Sequence, residues 1–212
     1  MATDSTSEAA PLLRARALGC RRGGRRVFAG LDLALAPGDA LWLRGPNGCG
    51  KSSLLRLLAG LGQPDGGELW RAPEARHPAF VSHANALKDE LALDEALTFL
   101  CRLHGHAPQP AELRAALARF GLERRGQMPV RKLSQGQRRK AALARLWLAP
   151  APLWLLDEPY DALDQAGCAE LDAAIQAHRA GGGAVVLTSH QAVGLPALRT
   201  LDLALAGTGA RA

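Results

Sequence analysis

Three short apolar runs punctuate the chain, and residues able to carry chemistry follow each of them. The runs span residues 40–43, residues 153–156 and the apolar start of AVVLTSH, residues 184–190, and short apolar runs of this kind are typical of strands buried on both faces of a parallel sheet. Ligands of open α/β sheets bind at the carboxyl ends of such strands. The pattern therefore predicts an α/β fold and directs attention to the residues after each run.

Two segments between the first and second runs show the periodicity of amphipathic helices. Residues 94–105 form one of them. Residues 110–122 form the other, in which Leu113, Leu117 and Phe120 share a face and Gly121 marks the end. The chain is therefore expected to carry a helical insert here.

The stretch KLSQGQRRKAALARLWLAP, residues 132–150, predicts a third helix with a recognisable start. Ser134 followed by Gln137 has the S-x-x-Q form of a helix capping box, and the apolar stripe that begins at Ala142 continues until Pro150 ends it. Ser134 and Gly136 therefore lie at a helix N-terminus, where free N–H groups and the helix dipole favour an anion. The helix alone leaves open which anion binds.

The residues after the first apolar run match the phosphate-binding pattern G-x-x-x-x-G-K-[ST] in full. Backbone N–H groups of such a loop hold phosphates, Lys51 reaches the β- and γ-phosphate oxygens, and Ser52 offers a hydroxyl to Mg²⁺. The pattern predicts that the chain binds a nucleotide. The predicted ATP-binding loop consists of Gly45, Pro46, Asn47, Gly48, Cys49, Gly50, Lys51, Ser52 and Ser53.

The second and third apolar runs deliver the candidate catalytic residues. Asp157 and Glu158 follow the second run directly, and His190 follows the third. Phosphoryl transfer needs a metal clamp and a positioned nucleophile, so we expect Asp157 to hold Mg²⁺, usually through water, and Glu158 to orient or deprotonate the attacking water. His190 should lie level with Asp157 and contact the γ-phosphate.

Composition agrees with a folded domain in a reducing compartment. Apolar residues make up 48% of the chain, and no apolar run is long enough to span a membrane. Residues 1–10 are polar and acidic, unlike a signal peptide, and are interpreted as a disordered lead-in to a cytosolic protein. Free thiols fit the cysteines better than disulfides or zinc, since Cys20, Cys49, Cys101 and Cys168 lie far apart.

The net charge of +6 raises the question of a nucleic-acid partner. Most arginines are scattered, and aromatic residues, at 4%, leave little for base stacking, so we expect no nucleic-acid binding. His104 and His106 form a short HGH segment between helical segments. Both a solvated loop and a metal or haem role remain open for it.

The order of these motifs, from the phosphate loop through LSQGQ, Asp-Glu and ALD to the final histidine, resembles the ATPase subunit of ABC transporters over nearly the whole chain. The resemblance implies a P-loop NTPase with a RecA-like core, an antiparallel β layer from residues 11–38 and 62–80, and a helical subdomain at about 85–148. It implies one domain spanning residues 11–212.

The same resemblance identifies the second anion. In that family two subunits bury two ATP molecules head to tail, so Ser134, Gly136 and Gln137 would bind the ATP held by a second copy of this chain. Asp164 would be the D-loop aspartate that joins the two sites. The expected cofactors are ATP and Mg²⁺.

Two positions depart from the general ABC pattern. The aromatic residue that stacks on adenine is missing near residues 20–23, where Arg21 or Arg22 could replace it by cation–π contact or Phe28 could help. His83 stands where the Q-loop glutamine is expected and would take over its part, ligating Mg²⁺ through water and reporting to the membrane partner.

These departures, together with SHANALK, LARLWL, LWLLDEP and LTSHQ, resemble the CcmA family, the ATP-binding subunits of bacterial cytochrome c maturation complexes. That resemblance implies ATP hydrolysis coupled to haem export or to release of a haem-loaded chaperone. It implies a peripheral location on the cytoplasmic face of the inner membrane, a CcmB-like membrane subunit, and CcmC-like and CcmE-like partners.

Other functions stay open from the residues alone. The chain fits an ATPase subunit of another small-molecule ABC transporter, which would not be expected to share His83 and the missing aromatic. A soluble ABC protein of DNA repair or translation usually carries two ATPase domains or a long coiled coil. A nucleotide-binding module without activity would have no need of Glu158.

Overall fold

The structure, a computed structural model, describes residues 10–206, so the lead-in predicted at residues 1–10 lies outside the described residues except for its last position. The strands are β1 (Leu13–Arg22), β2 (Arg25–Leu35), β3 (Ala40–Arg44), β4 (Gly66–Arg71), β5 (Ala79–Val81), β6 (Leu153–Leu156), β7 (Ala184–Thr188) and β8 (Arg199–Asp202). The helices are α1 (Lys51–Leu58), α2 (Leu93–Leu103), α3 (Pro110–Ala118), α4 (Gln135–Ala144), α5 (Gln165–Ala180) and α6 (Leu203–Ala206).

A parallel sheet forms the centre of the fold, with the strand order β5-β6-β7-β3-β8. The three apolar runs of the sequence become β6, β7 and β3, which lie side by side in its middle. Every residue of β6 and β7 is buried, as expected of strands covered on both faces. The predicted α/β class is confirmed.

A second, antiparallel sheet has the order β2-β1-β4 and forms the predicted β layer. Its strands come from the two segments for which this layer was expected. The prediction ran slightly too far, because Ala79 and Phe80 belong to β5 and pair with β6 in the parallel sheet. Short apolar runs occur in parallel and antiparallel sheets alike, so the sequence pattern could not tell to which sheet residues 79 and 80 belong.

Two apolar cores lie on the two faces of the parallel sheet, because alternate residues of its strands point in opposite directions. Leu153 and Leu155 of β6 face α1 and the antiparallel layer. Trp154 and Leu156 face the opposite core, which contains side chains of α2, α3, α4 and α5. Packing on both faces holds the sheet in place, and the residues that follow its strands at the carboxyl edge are held in place with it.

The helices predicted from periodicity are present with shifted ends. α4 begins at the predicted cap but ends at Ala144, and a 3₁₀ turn, Arg145–Trp147, completes the segment before Pro150. Helices α2, α3 and α4 lie between β5 and β6 in the segment predicted as a helical subdomain. Among the described residues, none of the helices combines the length and apolar character needed to cross a bilayer.

Candidate functional site

The predicted phosphate loop connects β3 to α1 and leaves backbone N–H groups at the start of the helix. Gly45, Gly48 and Gly50 all have positive φ values, which lets the loop curl tightly. Lys51 is the first residue of α1, and its Nζ donates to the carbonyl oxygens of Gly45 (2.7 Å) and Pro46 (3.3 Å). The ammonium is thus held against the concave side of the loop, where phosphate oxygens would lie.

Gly50 shows why the loop packs so closely against the antiparallel layer. Its φ is +107°, and a Cβ at this position would lie 2.3 Å from Cγ1 of Val27 in β2. Cys49 packs against the same core, and its Sγ would lie 2.7 Å from a Cβ on Gly45. The loop is therefore preformed by contacts with β2 as well as by its own glycines.

Asp157 lies at the end of β6 and is 4% exposed. Its Oδ1 accepts hydrogen bonds from the hydroxyl of Ser52 (3.1 Å) and from the hydroxyl of Thr188 (3.0 Å). The structure therefore brings together the two predicted metal-binding residues from segments far apart in the chain. Thr188 was not singled out by the sequence, although it stands two residues before His190 at the end of β7.

Glu158 is held in a strained backbone conformation, with a φ of +51°. Its N–H donates to the Thr188 hydroxyl (2.8 Å), and its Oε2 accepts from the backbone N–H of His190 (3.0 Å). The Nε2 atom of His190 lies 3.5 Å from Oε1 of the same carboxylate. The two predicted catalytic residues are in contact, and the strand ends determine where the carboxylate points.

Arg139 in α4 is a buried cation that the sequence analysis missed. Its guanidinium donates to the carbonyl oxygens of Asp157 (2.7 Å) and Glu158, and also to the Ser82 carbonyl and the Asn85 side chain (both 2.9 Å). Burial lowers its pKa, while the carboxylates of Asp161, Asp157 and Glu158 oppose that shift. One side chain thus ties α4 to the end of β6 and to the loop after β5.

A cleft of about 440 Å³ lies beside these residues, and most of the predicted site residues line it. Its size suits a nucleotide-sized ligand. The cleft is lined by Arg22, Val27, Asn47, Gly48, Gly50, Lys51, Ser52, Ser53, Arg56, His83, Asp157, Glu158, Asp161 and His190. Residues from the phosphate loop, the Q-loop position and the ends of β6 and β7 therefore face one space.

The structure separates the three candidates for the adenine-stacking position. Arg22 lines the cleft together with Val27, whereas Phe28 is 2% exposed and belongs to the apolar core. Arg21 is outside the lining and donates instead to the Gly24 carbonyl (3.2 Å). Arg22 is the one of the three that is placed to meet a ligand.

His83 lies at the rim of the cleft with an exposed side chain. Its Nδ1 atom is 3.7 Å from Oδ2 of Asp161, a second rim carboxylate. The following residues Asn85 and Ala86 have positive φ values, so the loop after β5 turns sharply behind the histidine. This position faces the same space as Asp157, and its part in place of the Q-loop glutamine stays a prediction.

The remaining predicted residues form a separate group, the signature corner, consisting of Ser134, Gly136, Gln137 and Asp164. Gln137 N–H donates to Ser134 Oγ (3.2 Å), and Ser134 N–H donates to Gln137 Oε1 (3.0 Å), so the capping box is formed as predicted. A Cβ on Gly136 would lie 2.8 Å from the Ala162 carbonyl oxygen. None of the four lines the cleft within the described part of the chain.

Asp164 connects the signature corner to α5. It caps that helix by accepting from the Gly167 N–H (2.9 Å), and it accepts from Lys140 of α4 (2.7 Å). The Lys140 hydrogen bond, followed by that of Gly167, lowers the pKa of the Asp164 carboxyl. The middle of α4 and the start of α5 are therefore held together by this ion pair.

The four cysteines are free thiols, as expected, and lie within the described residues. His104 and His106 belong to an exposed turn after α2. Among the described residues, no group of three or more histidine, cysteine or acidic side chains is placed to hold a metal ion. A metal role for the HGH segment therefore finds no support in the geometry.

Comparison with known sequences gives consistent matches. The model of the ABC transporter family matches residues 28–161. The cytochrome c biogenesis ATP-binding export protein CcmA of Cupriavidus necator is 50% identical over 202 residues, covering 91% of this chain and 88% of that protein. The CcmA protein of Paramagnetospirillum magneticum is 48% identical, covering 89% of this chain and 92% of that protein.

Solved structures show the same fold. An ATP-binding protein of an ABC transporter from Pyrococcus furiosus superposes with a TM-score of 0.78 at 22% identity, covering 92% of this chain and 99% of that one. The ATP-binding subunit of another ABC transporter gives a TM-score of 0.75 at 26% identity, covering 84% of this chain and 79% of that one.

Proposed function

The chain belongs to the ABC transporter family and, within it, to the CcmA family of ATP-binding proteins, and we propose that it hydrolyses ATP to drive a membrane complex of cytochrome c biogenesis. The relatives named for cytochrome c biogenesis and export match over about nine-tenths of both chains. The ATP hydrolysis would drive either haem export or the release of a haem-loaded chaperone.

The observation that carries the ATPase proposal is the convergence of the phosphate loop with Asp157, Glu158 and His190 on one cleft. In the proposed mechanism the loop N–H groups and Lys51 bind the β- and γ-phosphates. Glu158 accepts a proton from the attacking water or orients it, and His190 contacts the γ-phosphate. The backbone N–H of His190 donates to the Glu158 carboxylate and holds that carboxylate at the cleft.

The donor set beside the loop fits Mg²⁺. Ser52 and Asp157 place a hydroxyl and a carboxylate oxygen next to each other, and Mg²⁺ prefers such oxygen ligands, supplemented by water and phosphate. In the proposal Ser52 would hold the ion through its hydroxyl, and Asp157 and His83 would hold it through water. When bound, the ion would supply positive charge that offsets the charge of the phosphates.

The signature corner completes the proposal through a second copy of the chain. Ser134, Gly136 and Gln137 lie at the start of α4, where N–H groups and the helix dipole favour an anion. Because they lie outside the cleft of their own subunit, we assign them to the γ-phosphate bound by the partner subunit. Asp164 lies beside them and would link the two sites.

The proposed partners follow from the family. We infer a CcmB-like integral membrane subunit, with CcmC-like and CcmE-like proteins in the same complex, and a peripheral position on the cytoplasmic face of the inner membrane. The energy of ATP binding would close the dimer and hydrolysis would open it, which moves the attached membrane subunit.

Affinity purification of the tagged Glu158→Gln variant tests the proposal. The variant is expressed in a bacterium that makes c-type cytochromes, solubilised in mild detergent with Mg-ATP, and its partners are identified by mass spectrometry. A small multi-span membrane protein together with haem-handling proteins is expected. The Lys51→Ala variant, treated in the same way, is the control, because it should not form the ATP-bound dimer.

Other outcomes separate the parts of the proposal. Recovery of a different membrane permease would leave an ABC ATPase but replace cytochrome c biogenesis with the substrate of that permease. Recovery of only soluble or ribosomal partners would overturn the transporter role while leaving the ATPase chemistry intact.

A further inference from the structure

A second cavity lies at the opposite edge of the parallel sheet from the nucleotide cleft. It is lined by residues just before β5, residues just before β6, and the end of α2. Its volume is about 90 Å³. A single water needs about 10–15 Å³ by this measure, so the cavity has room for a group of several heavy atoms.

Arg145 lines this cavity without a protein partner for its charge. It lies in the 3₁₀ turn after α4, is partly buried, and its guanidinium makes no hydrogen bond or ion pair with the rest of residues 10–206. Burial lowers its pKa to about 10, so the group remains charged at neutral pH. A guanidinium that faces a cavity presents its N–H donors to whatever group fills that cavity.

Among residues 10–206, those that line the cavity with Arg145 offer no carboxylate to its charge. Three histidines, His77, His104 and His106, line the same cavity, and none of its described lining residues is an aspartate or a glutamate. Burial raises the pKa of the adjacent Cys101 thiol, which therefore stays neutral and does not balance the guanidinium. Burial, Arg145 and His77 together lower the pKa of His104.

The segment that carries His104 and His106 is held at the cavity by backbone hydrogen bonds. The backbone N–H groups of His104 (2.9 Å) and His106 (3.0 Å) both donate to the Cys101 carbonyl at the end of α2. The other walls are apolar and include Leu100 and Pro150. The cavity thus combines one unpaired cation, a rim of histidines and an apolar interior.

We propose that this cavity binds a small organic carboxylate, whose oxygens accept hydrogen bonds from Arg145 and whose short apolar part lies against Leu100 and Pro150. Arginine is suited to such an anion because its planar fork presents two parallel N–H groups to a carboxylate. The apolar walls favour an organic acid over a free inorganic anion, which would gain nothing from them. The site is independent of the nucleotide cleft and goes beyond the proposed ATPase function.

Arginine side-chain NMR of the full chain, with butyrate as the probe, tests this inference. Saturating ADP fills the phosphate loop, and sodium butyrate is titrated against sodium chloride at equal ionic strength. The Arg145 Nε–Hε resonance should shift and saturate, and the thermal midpoint should rise with butyrate concentration because the ligand binds the folded state. A butyrate titration that leaves the Arg145 resonance unmoved would overturn the inference.

Two variants make the assignment specific. Arg145→Met should fold, because an apolar side chain replaces a guanidinium that has no protein acceptor, and it should lose the thermal shift. Arg114→Met removes the same charge from an exposed position on α3 outside the cavity and should keep the shift. An equal thermal shift in Arg145→Met would place the binding elsewhere and contradict the inference.

Sodium phosphate under the same conditions separates the two kinds of anion. If phosphate moves the Arg145 resonance and butyrate does not, the cavity takes an inorganic anion and the proposed ligand class is wrong. A response to butyrate with a weaker response to phosphate supports the organic carboxylate. The wild-type titration decides this point even if a variant fails to fold.

Discussion

The nucleotide cleft and the signature corner differ in how much of a site each contains. The cleft has a cation, a loop of backbone donors, a carboxylate beside a hydroxyl, and a second carboxylate in contact with a histidine. The signature corner has a capped helix start, and its hydrogen bonds are satisfied locally by Ser134, Gln137, Lys140 and Asp164. The cleft therefore contains nearly all the groups that ATP hydrolysis needs, whereas the signature corner contains only groups that could contact a phosphate.

The difference shows how the two regions depend on their surroundings. The cleft is assembled by packing within one chain, because parallel strands place their carboxyl ends at one edge. In the proposed dimer, the corner gains a ligand only when another copy supplies its phosphate. Arg139 connects the regions, since it extends from the signature helix α4 to the backbone of Asp157 and Glu158.

The largest effect is expected at Glu158. Glu158→Gln removes the proposed general base and should lower ATP turnover by about 10²–10⁴-fold while nucleotide affinity is retained. ATPase assays and equilibrium nucleotide binding measure the two quantities. The exposed Glu123→Gln change is the matched control and should leave both unchanged. Unaltered turnover in Glu158→Gln would remove that residue from the mechanism.

Arg139→Met tests the connection between the regions. It leaves the backbone oxygens of Ser82, Asp157 and Glu158 without their charged donor, so the free energy of unfolding should fall by about 3 kcal/mol. Urea unfolding monitored by circular dichroism provides the value. The neighbouring Arg138 pairs with exposed Asp89, and Arg138→Met should cost less than about 1 kcal/mol. Equal losses in both variants would argue against a special role for Arg139.

Gly136→Ala tests whether the signature corner acts across a dimer. The new methyl group would lie 2.8 Å from the Ala162 carbonyl of the same subunit, so the start of α4 must shift to relieve the overlap. A shift that loses one hydrogen bond to the partner's phosphate, worth about 2 kcal/mol, should weaken the ATP-bound dimer roughly 30-fold. Light scattering in the Glu158→Gln background measures dimerisation. Nucleotide affinity of the monomer should not change.

The control for this variant is Gly194→Ala, where a Cβ meets nothing within 4 Å and φ is not positive. That change should leave dimerisation intact. If Gly136→Ala dimerises normally, the corner does not bind the partner's nucleotide.

Thr188→Val tests how β7 supports the carboxylates. The valine keeps the shape of the buried side chain but removes the hydroxyl that accepts from Glu158 and donates to Asp157, so stability should fall by about 1–1.5 kcal/mol. Turnover should fall as well, because the strained Glu158 backbone loses a support. Thr188→Ser restores the hydroxyl and should recover most of the activity. Failure of serine to rescue would indicate that packing matters more than the hydrogen bonds.

The smallest effect is expected at the base-binding end of the cleft. Arg22→Ala should weaken ATP affinity by about 2- to 5-fold, corresponding to a cation–π contact of about 0.5–1 kcal/mol. Arg21→Ala serves as the control, since Arg21 does not line the cleft. Calorimetric titration with ATP compares the two. A larger loss in Arg21→Ala would reverse the assignment.

Much of the nucleotide cleft could be predicted from local pattern. The phosphate loop, Asp157, Glu158 and His190 follow apolar runs that read as buried strands, and strand ends are where such folds bind ligands. Thr188 and Arg139 escaped prediction for different physical reasons. Thr188 reads as an ordinary strand residue, and Arg139 stands in a basic RRK stretch that resembles a solvated helix face. Their roles come from partners that are distant along the chain.

The sequence by itself determined the local elements of this protein, because they rest on neighbours: the buried runs, the glycine loop, and the capping box of Ser134 and Gln137. The tertiary structure decided which elements meet. It selected Arg22 over Phe28 at the cleft and assigned residues 79 and 80 to the parallel sheet. It also left the guanidinium of Arg145 without a protein acceptor among the described residues. Those outcomes depend on burial and on contacts between distant segments, which no local pattern contains.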